Sequence, residues 1–177
     1  MPVKTVPALL AAAVLALSPA GAAAQPLPGD RLIVPGSRIG AAELEQADQG
    51  AMVRELGEPN QTDQRGDRAI YRYGEPGPDG GPPDELVVNF DLAKDAPFEI
   101  STASPAYHTQ GGLGVGSAAA AVRARLGPPL CAGGEEGGAG LLVYDAIWFQ
   151  TSRGIVARVF IRKHLDAGDF RTGPLHC

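Results

Sequence analysis

Alternating apolar and polar residues predict β-strands over much of this chain. In the segment 86–91, Leu86, Val88 and Phe90 point one way while Asn89 and Asp91 point the other, which is typical of a half-buried strand. Similar short apolar runs predict further strands at 32–34, 69–73, 98–102, 141–144, 147–150 and 155–162. Sequential strands are expected to pair as antiparallel meanders.

Two segments have the spacing and end signals of helices. A mainly helical stretch is predicted to open at Ile39 and end at Leu56, with Asp48 as the N-cap of its final part. A second helix is predicted over residues 118–126, with Ser117 as its N-cap. Both segments are followed by Gly-x-Pro after a final leucine. This sequence predicts a helix end, because glycine adopts the left-handed conformation that ends a helix and proline prevents its continuation.

The Leu-Gly-x-Pro phrase indicates an internal duplication. Its copies lie in Met52–Pro59 and Val122–Pro129, with the two endings 70 residues apart, and β-rich sequence follows each. We therefore predict an α+β fold made of two tandem helix-plus-antiparallel-strand units, with helices on one face of the sheet. The units are assigned to residues 32–105 and 106–163.

The second unit also resembles a known family. Its segments Gly114-Val115-Gly116-Ser117 and Leu126-Gly127-Pro128-Pro129 resemble the repeat of the β-lactamase-inhibitor-protein-like fold and the related BamE (SmpA/OmlA) unit. The first unit matches at Leu56-Gly57-Glu58-Pro59, although Leu44-Glu45-Gln46-Ala47 lacks the Gly-x-Ser start. The resemblance covers about residues 32–162 and implies an exported bacterial protein of unassigned function.

Residues 1–24 have the three parts of a secretory signal peptide. Lys4 precedes the apolar run 8–17, and Ala22-Ala23-Ala24 forms a small-residue cleavage site. A run of about ten residues is too short to span a bilayer, which takes roughly 20. We therefore expect cleavage before Gln25 and a periplasmic or secreted protein without membrane insertion.

Charge and the terminal segments add little to this picture. Residues 25–31 are predicted to form a flexible leader, and residues 164–177 a C-terminal tail. Removal of Lys4 with the signal peptide moves the formal net charge from −5 to −6. An acidic chain with scattered basic residues is not expected to bind nucleic acid, which requires a basic face.

Cys131 and Cys177 are the two cysteines of the chain. An even cysteine count in an exported protein favours a disulfide between them, since no C-x-x-C motif indicates a redox or metal pair. Closing a loop of about 46 residues stabilises a fold by at most roughly 4 kcal/mol through chain entropy.

The strand at 155–162 has two different faces. Ile155, Ala157, Val159 and Ile161 are apolar and are expected to pack on the helices, whereas Val156 shares the opposite face with a mixed aromatic and basic set. Trp, Tyr and Arg are enriched at binding hot spots. The candidate partner-binding residues are therefore Trp148, Arg158, Phe160, Arg162, Tyr71 and Tyr73. The alternative is an ordinary amphipathic strand whose exposed arginines prevent edge pairing.

No catalytic, metal or cofactor motif emerges from the sequence. The three histidines, His108, His164 and His176, lack zinc-site spacing. The glycine run 111–116 lacks the surroundings of a nucleotide loop. No catalytic residue, metal ligand or cofactor is therefore predicted.

These observations favour an exported, non-enzymatic periplasmic protein-binding or scaffold module of the cell envelope, whose partner is an envelope or extracellular protein. One alternative is a secreted proteinaceous enzyme inhibitor, and another is an enzyme with an unrecognised site. Exposed aromatic residues on an open sheet face would favour binding, whereas a deep pocket with converging polar groups would favour an enzyme.

Overall fold

The computed structural model describes residues 30–75, 85–134 and 138–163. Of these residues, 48% lie in strands and 13% in helices. The helices are α1 (Gln49–Leu56) and α2 (Ala119–Leu126). The strands are β1 (Leu32–Val34), β2 (Arg38–Ile39), β3 (Ala42–Glu43), β4 (Gln61–Arg65), β5 (Arg68–Tyr73), β6 (Leu86–Asp91), β7 (Ala96–Thr102), β8 (His108–Thr109), β9 (Cys131–Gly134), β10 (Ala139–Tyr144), β11 (Ile147–Ser152) and β12 (Ile155–Arg162).

Eight strands form one continuous sheet in the order β4-β5-β6-β7-β12-β11-β10-β9. Neighbouring strands of this sheet are antiparallel throughout, and the predicted meander pairing of sequential strands is confirmed within β4–β7 and within β9–β12. The centre of the sheet is the pairing of β7 with β12. A second, four-stranded sheet has the order β3-β2-β1-β8, and in it β1 and β8 run parallel.

The predicted fold class is wrong. The described chain is mostly β, with two helices and two sheets, and it does not divide into two helix-plus-strand repeat units. Part of the reason lies in the stretch 39–48, where Ile39, Ala42 and Leu44 have near-helical spacing. Those residues instead belong to the β2–β3 hairpin and its exit, because Gly40 turns the chain with a φ of 57°.

The helix ends follow the local sequence signals only in part. Asp48 caps α1 as predicted, since its carboxylate accepts a hydrogen bond from the Ala51 amide at 2.6 Å. Gly57 ends α1 with a φ of 83°. The residue at the N-cap of α2 is Ala118 and not Ser117. The carbonyl of Gly154 accepts from the Ala119 amide, so the turn before β12 satisfies the start of this helix.

The hydrophobic core lies on one face of the large sheet, which we call the inner face. Met52 of α1 and Val122 of α2 are fully buried there against strand residues such as Val88, Ile100 and Phe149. The small sheet adds to this core through Ile33, Ile39, Ala42 and Leu44. The opposite face, which we call the outer face, is where the candidate binding residues must lie to be accessible.

Candidate binding face

A row of side chains crosses the outer face from one edge of the sheet to the other. Residues paired across strands share a face, so the register defines this outer row. In strand order it consists of Gln61, Arg72, Val87, Ser101, Phe160, Trp148, Val143 and Cys131. The core takes its members from the alternate positions, such as Val88, Ile100 and Ile161.

Much of the outer row between β6 and β9 is shielded from solvent although it faces away from the core. Val143 is 0% exposed, and Val87 and Cys131 are each 4% exposed. Ser101 is also buried, whereas Trp148 and Phe160 are half-buried. The indole Nε1 of Trp148 is buried and finds no acceptor within the described chain. The sheet therefore has a second apolar region in addition to the core.

A polar network lies beside this apolar row. The Arg162 guanidinium donates to Glu99 Oε2 through Nε at 2.7 Å and lies within 2.6 Å of it through a terminal nitrogen. Asn89 Nδ2 donates to the other carboxylate oxygen at 2.9 Å. The Glu99 side chain is 11% exposed, so these partners replace water around a largely buried carboxylate.

Arg162 joins the polar network to the apolar row. Its guanidinium carbon lies 4.3 Å from the centroid of the Trp148 ring, which is a cation–π distance. Phe160 is the register partner of Trp148, so the aromatic pair and the arginine form one cluster on β11 and β12. Arg158 lies on the same face one alternate position away and pairs in register with Gln150.

A second ion pair lies near the β4 edge of the outer face. Arg72 Nε donates to Asp63 at 3.2 Å, and Gln61 Nε2 donates to the same carboxylate at 3.1 Å. These hydrogen bonds, first that of Gln61 and then that of Arg72, lower the pKa of Asp63 below its ordinary value.

The structure brings four of the six candidate residues together, namely Trp148, Arg158, Phe160 and Arg162. Tyr71 and Tyr73 lie on the inner face instead. The Tyr71 hydroxyl donates to Gln49 of α1 at 2.8 Å, and its ring packs against Phe90 at a centroid distance of 4.9 Å. Tyr73 is 1% exposed, and burial raises its pKa. Strand alternation places both tyrosines with Ala69 towards the core.

The predicted faces of β12 are wrong in its first half. Val156 is buried in the core, whereas Ile155 is 45% exposed and Ala157 is also exposed. A register shift between Gln150 and Thr151 inserts an extra residue in β12, and such a bulge reverses the alternation locally. From Val159 onwards the faces agree with the prediction.

Other predicted sites fall partly outside the described residues. Cys131 lies in β9 on the outer row, but Cys177 lies outside the described residues, so the disulfide stays a prediction. His108 lies in β8, whereas His164 and His176 lie outside the described part. Within residues 30–75, 85–134 and 138–163, no group of three or more His, Cys, Asp or Glu side chains could hold a metal ion.

A cavity of about 430 Å³ adjoins the outer face at the Arg162 end of β12. Charged residues line most of it, including Arg68, Asp91, Lys94 and Arg162. Lys94 lies 3.5 Å from Asp91, and Arg68 stacks on Phe98. Each of these four side chains therefore already contacts another side chain of the same chain. The cavity is a polar border to the aromatic cluster.

No described helix is both long enough and apolar enough to cross a membrane. Comparison with known proteins gives no family model and no curated protein that matches the chain. Solved structures with similarity include the uncharacterized protein YfeY from Escherichia coli, at 11% identity and a TM-score of 0.48. That match covers 76% of this chain and 98% of the other.

A second similar structure is a cysteine-rich secretory protein from Staphylococcus aureus, at 12% identity and a TM-score of 0.45. The match covers 77% of this chain and 52% of that one, so this chain spans about half its length. Because both TM-scores are below 0.5, we draw neither fold nor function from these structures. The resemblance to the β-lactamase-inhibitor-like and BamE folds stays a prediction.

Proposed function

We propose that the chain is an exported, non-enzymatic protein-binding module of the cell envelope, and that its outer sheet face contacts the partner. The observation that carries the proposal is the cluster of Trp148 and Phe160 flanked by Arg158 and Arg162. Tryptophan and arginine dominate binding hot spots because they combine large apolar area with directional polar groups. The partner is an envelope or extracellular protein.

The geometry of Arg162 supports this proposal. Glu99 and the Trp148 ring both contact the guanidinium, so a partner would not have to immobilise that side chain. Ordering a long side chain at an interface costs about 0.5–1.5 kcal/mol, and a preorganised one avoids part of that cost. The cluster is therefore a better candidate anchor than the separate exposed arginines of other strands.

Export is part of the same proposal and has its own test. The cleavage site Ala22-Ala23-Ala24 predicts that the mature protein begins at Gln25. N-terminal sequencing of the protein recovered outside the cytoplasm should give this start. Recovery of exported protein that still begins at Met1 would refute cleavage.

Binding is tested with immobilised mature chain as bait in an envelope extract. A partner that uses the outer face should be retained by the parent and lost or weakened with Phe160→Ala or Arg158→Ala. If either residue is a hot spot, the measured affinity should fall by about 1–2 kcal/mol, or roughly 5- to 30-fold. Gln61→Ala is the matched control, because Gln61 lies on the same face but at the β4 edge of the sheet, away from the cluster on β11 and β12.

Folding of each variant must be verified by circular dichroism and thermal melting. If both cluster variants fold and retain every partner that the parent retains, the proposal is wrong. If the captured partner is an enzyme and its activity falls in the complex, the module acts as a secreted inhibitor.

A further inference from the structure

A bulge in β7 brings an aromatic ring to the cavity at the end of β12. In the register of β6 with β7, Asn89 pairs with Glu99. The next residue of β6, Phe90, pairs with Pro97, so that Phe98 is the extra residue of a β-bulge. Bulges re-aim side chains, and the half-buried ring of Phe98 lines the cavity on the outer face.

The bulge also brings together two arginines, from β5 and β12, which lie on opposite sides of β7 in the sheet. The guanidinium carbon of Arg68 lies 5.2 Å from the centroid of the Phe98 ring. The Arg162 guanidinium pairs with Glu99, the next residue of β7, at 2.6 Å. Consecutive residues of one strand thus contact two guanidinium groups, and both groups line the same cavity of about 430 Å³.

Arg68 is the cation of this cavity whose charge is not balanced. Among the described residues, each of the other three cations that line the cavity pairs with a carboxylate. Arg68 instead stacks on Phe98, and no described carboxylate forms an ion pair with it. A neutral ring orders a guanidinium but does not cancel its charge, so Arg68 can still attract an anion.

We propose that this cavity binds a carboxylate side chain of the protein partner, and we call it the anion pocket, defined by Arg68, Phe98 and Arg162. This inference rests on the proposed function, because it identifies the chemistry of the partner at the same face. The partner places an Asp or Glu in the anion pocket and an apolar residue on the neighbouring cluster of Trp148 and Phe160.

Arg162 connects the anion pocket to the aromatic cluster. Its guanidinium lines the pocket and also lies 4.3 Å from the centroid of the Trp148 ring. An acidic residue and a nearby apolar residue of one partner segment can therefore contact the two sites together. Such a pair of contacts fixes the register of the partner on the sheet.

The charges of the anion pocket favour a carboxylate over a phosphate. Arginine presents a planar fork of donors that matches either group. Asp67 and Asp91 also line the cavity, and their charges oppose a doubly charged phosphate more strongly than a singly charged carboxylate. Because the chain has a formal net charge of −5, the unbalanced Arg68 would also orient an acidic partner towards this face.

The probe for the test is a phage-displayed library of short random peptides, selected on the immobilised mature chain. Relative to the unselected library, the bound peptides should be enriched in Asp or Glu close to an aromatic or aliphatic residue. One enriched peptide is then synthesised, and its affinity for the parent and for each variant is measured by calorimetry at low salt. Added salt should weaken the binding, since the contact is electrostatic and partly exposed.

Arg68→Gln should weaken the selected peptide by roughly 3- to 10-fold, because a partly exposed arginine–carboxylate contact is lost. Arg68→Lys should recover only part of that loss, since lysine keeps the charge without the planar fork. A peptide with Gln in place of its acidic residue should bind the parent about as weakly as the acidic peptide binds Arg68→Gln.

The matched control is Arg65→Gln, which removes the same charge from the β4–β5 hairpin but outside the cavity. It should change the affinity by less than about twofold. Arg68 is exposed, so its substitution should leave the protein folded, and circular dichroism of every variant verifies this.

The inference is overturned if the selection enriches no acidic peptide, or if Arg68→Gln and Arg65→Gln weaken the selected peptide equally. It is also overturned if inorganic phosphate displaces the peptide at a much lower concentration than acetate does, because a free phosphate compound would then be the ligand. If Phe160→Ala weakens the peptide and Arg68→Gln does not, the proposed function stands while this inference fails. If Arg68→Gln weakens the peptide but Phe160→Ala affects neither the peptide nor any envelope partner, the proposed function fails while the carboxylate site stands.

Discussion

The guanidinium carbon of Arg162 lies 4.3 Å from the centroid of the Trp148 ring on the neighbouring strand. The same guanidinium also pairs with Glu99, across the central β7–β12 pair. Arg162 thus links the middle of the sheet to its only tryptophan. Loss of the Glu99 carboxylate should therefore change the position of Arg162 relative to Trp148 and also lower the free energy of unfolding.

Glu99→Gln should lower the free energy of unfolding by about 1–2 kcal/mol, since a charge-assisted hydrogen bond to a mostly buried group is lost. Urea denaturation measures this. The matched control is Glu45→Gln, because Glu45 pairs with Lys163 at 3.1 Å but both side chains are exposed. That change should remain within about 0.5 kcal/mol. Equal effects of the two substitutions would contradict the structural role of the Glu99 network.

Tyr71 and Tyr73 give a paired test of the inner face. Tyr71→Phe removes a hydrogen bond to Gln49 and should cost about 0.5–1.5 kcal/mol. The Tyr73 hydroxyl is buried without a partner in the described chain, so Tyr73→Phe should be neutral or stabilising. Chemical denaturation of both variants provides the comparison. A larger loss for Tyr73→Phe would show that its hydroxyl has a partner that the structure does not place there.

The sequence pattern located strands that lie inside the large sheet, with a neighbouring strand on each side. Leu86, Val88 and Phe90 alternate because β6 lies inside the sheet, with one face on the core. The edge strands β4 and β9 were missed for the opposite reason. Each has one neighbouring strand in the sheet, and the sequences Gln-Thr-Asp-Gln-Arg and Cys-Ala-Gly-Gly carry no apolar alternation.

The candidate site was predicted in part. The residues that were missed or misplaced depend on how the strands pair and pack, which the local sequence does not determine. Alternation alone placed Arg158, Phe160 and Arg162 on one face. It could not place Val156, because the bulge arises from the pairing of β12 with β11. Nor could it tell which face of β5 meets the core, which is why Tyr71 and Tyr73 joined the list. Glu99 went unnoticed because only the β7–β12 register brings it to Arg162.

Asp30 should make the fold sensitive to acid. Arg38 donates to both carboxylate oxygens, at 2.8 and 3.0 Å, and with the Leu32 amide it lowers the pKa of Asp30 from 3.8 to about 2. A lowered pKa in the folded state stabilises the protein above the ordinary pKa, and the benefit is lost as pH falls through about 2.

Arg38→Gln should therefore raise the Asp30 pKa part of the way to its ordinary value, since the Leu32 hydrogen bond remains. Titration of the Asp30 carboxyl by NMR measures the shift. The melting temperature of the variant should also vary less between about pH 4 and pH 2 than that of the parent. An unchanged titration would show that this ion pair does not form in solution.

Val159 and Ile155 test the bulge in β12 with the same kind of substitution. Both are apolar and lie in one strand, yet Val159 is 0% exposed and Ile155 is 45% exposed. Val159→Ala should lower the free energy of unfolding by about 2 kcal/mol, because the loss of two buried methyl groups also leaves a cavity. Ile155→Ala deletes more atoms but should cost less than about 1 kcal/mol, since much of that side chain is already in water. Urea denaturation of both variants decides between the two registers: without the bulge, strict alternation would bury Ile155 with Val159, and Ile155→Ala would then be the more damaging change.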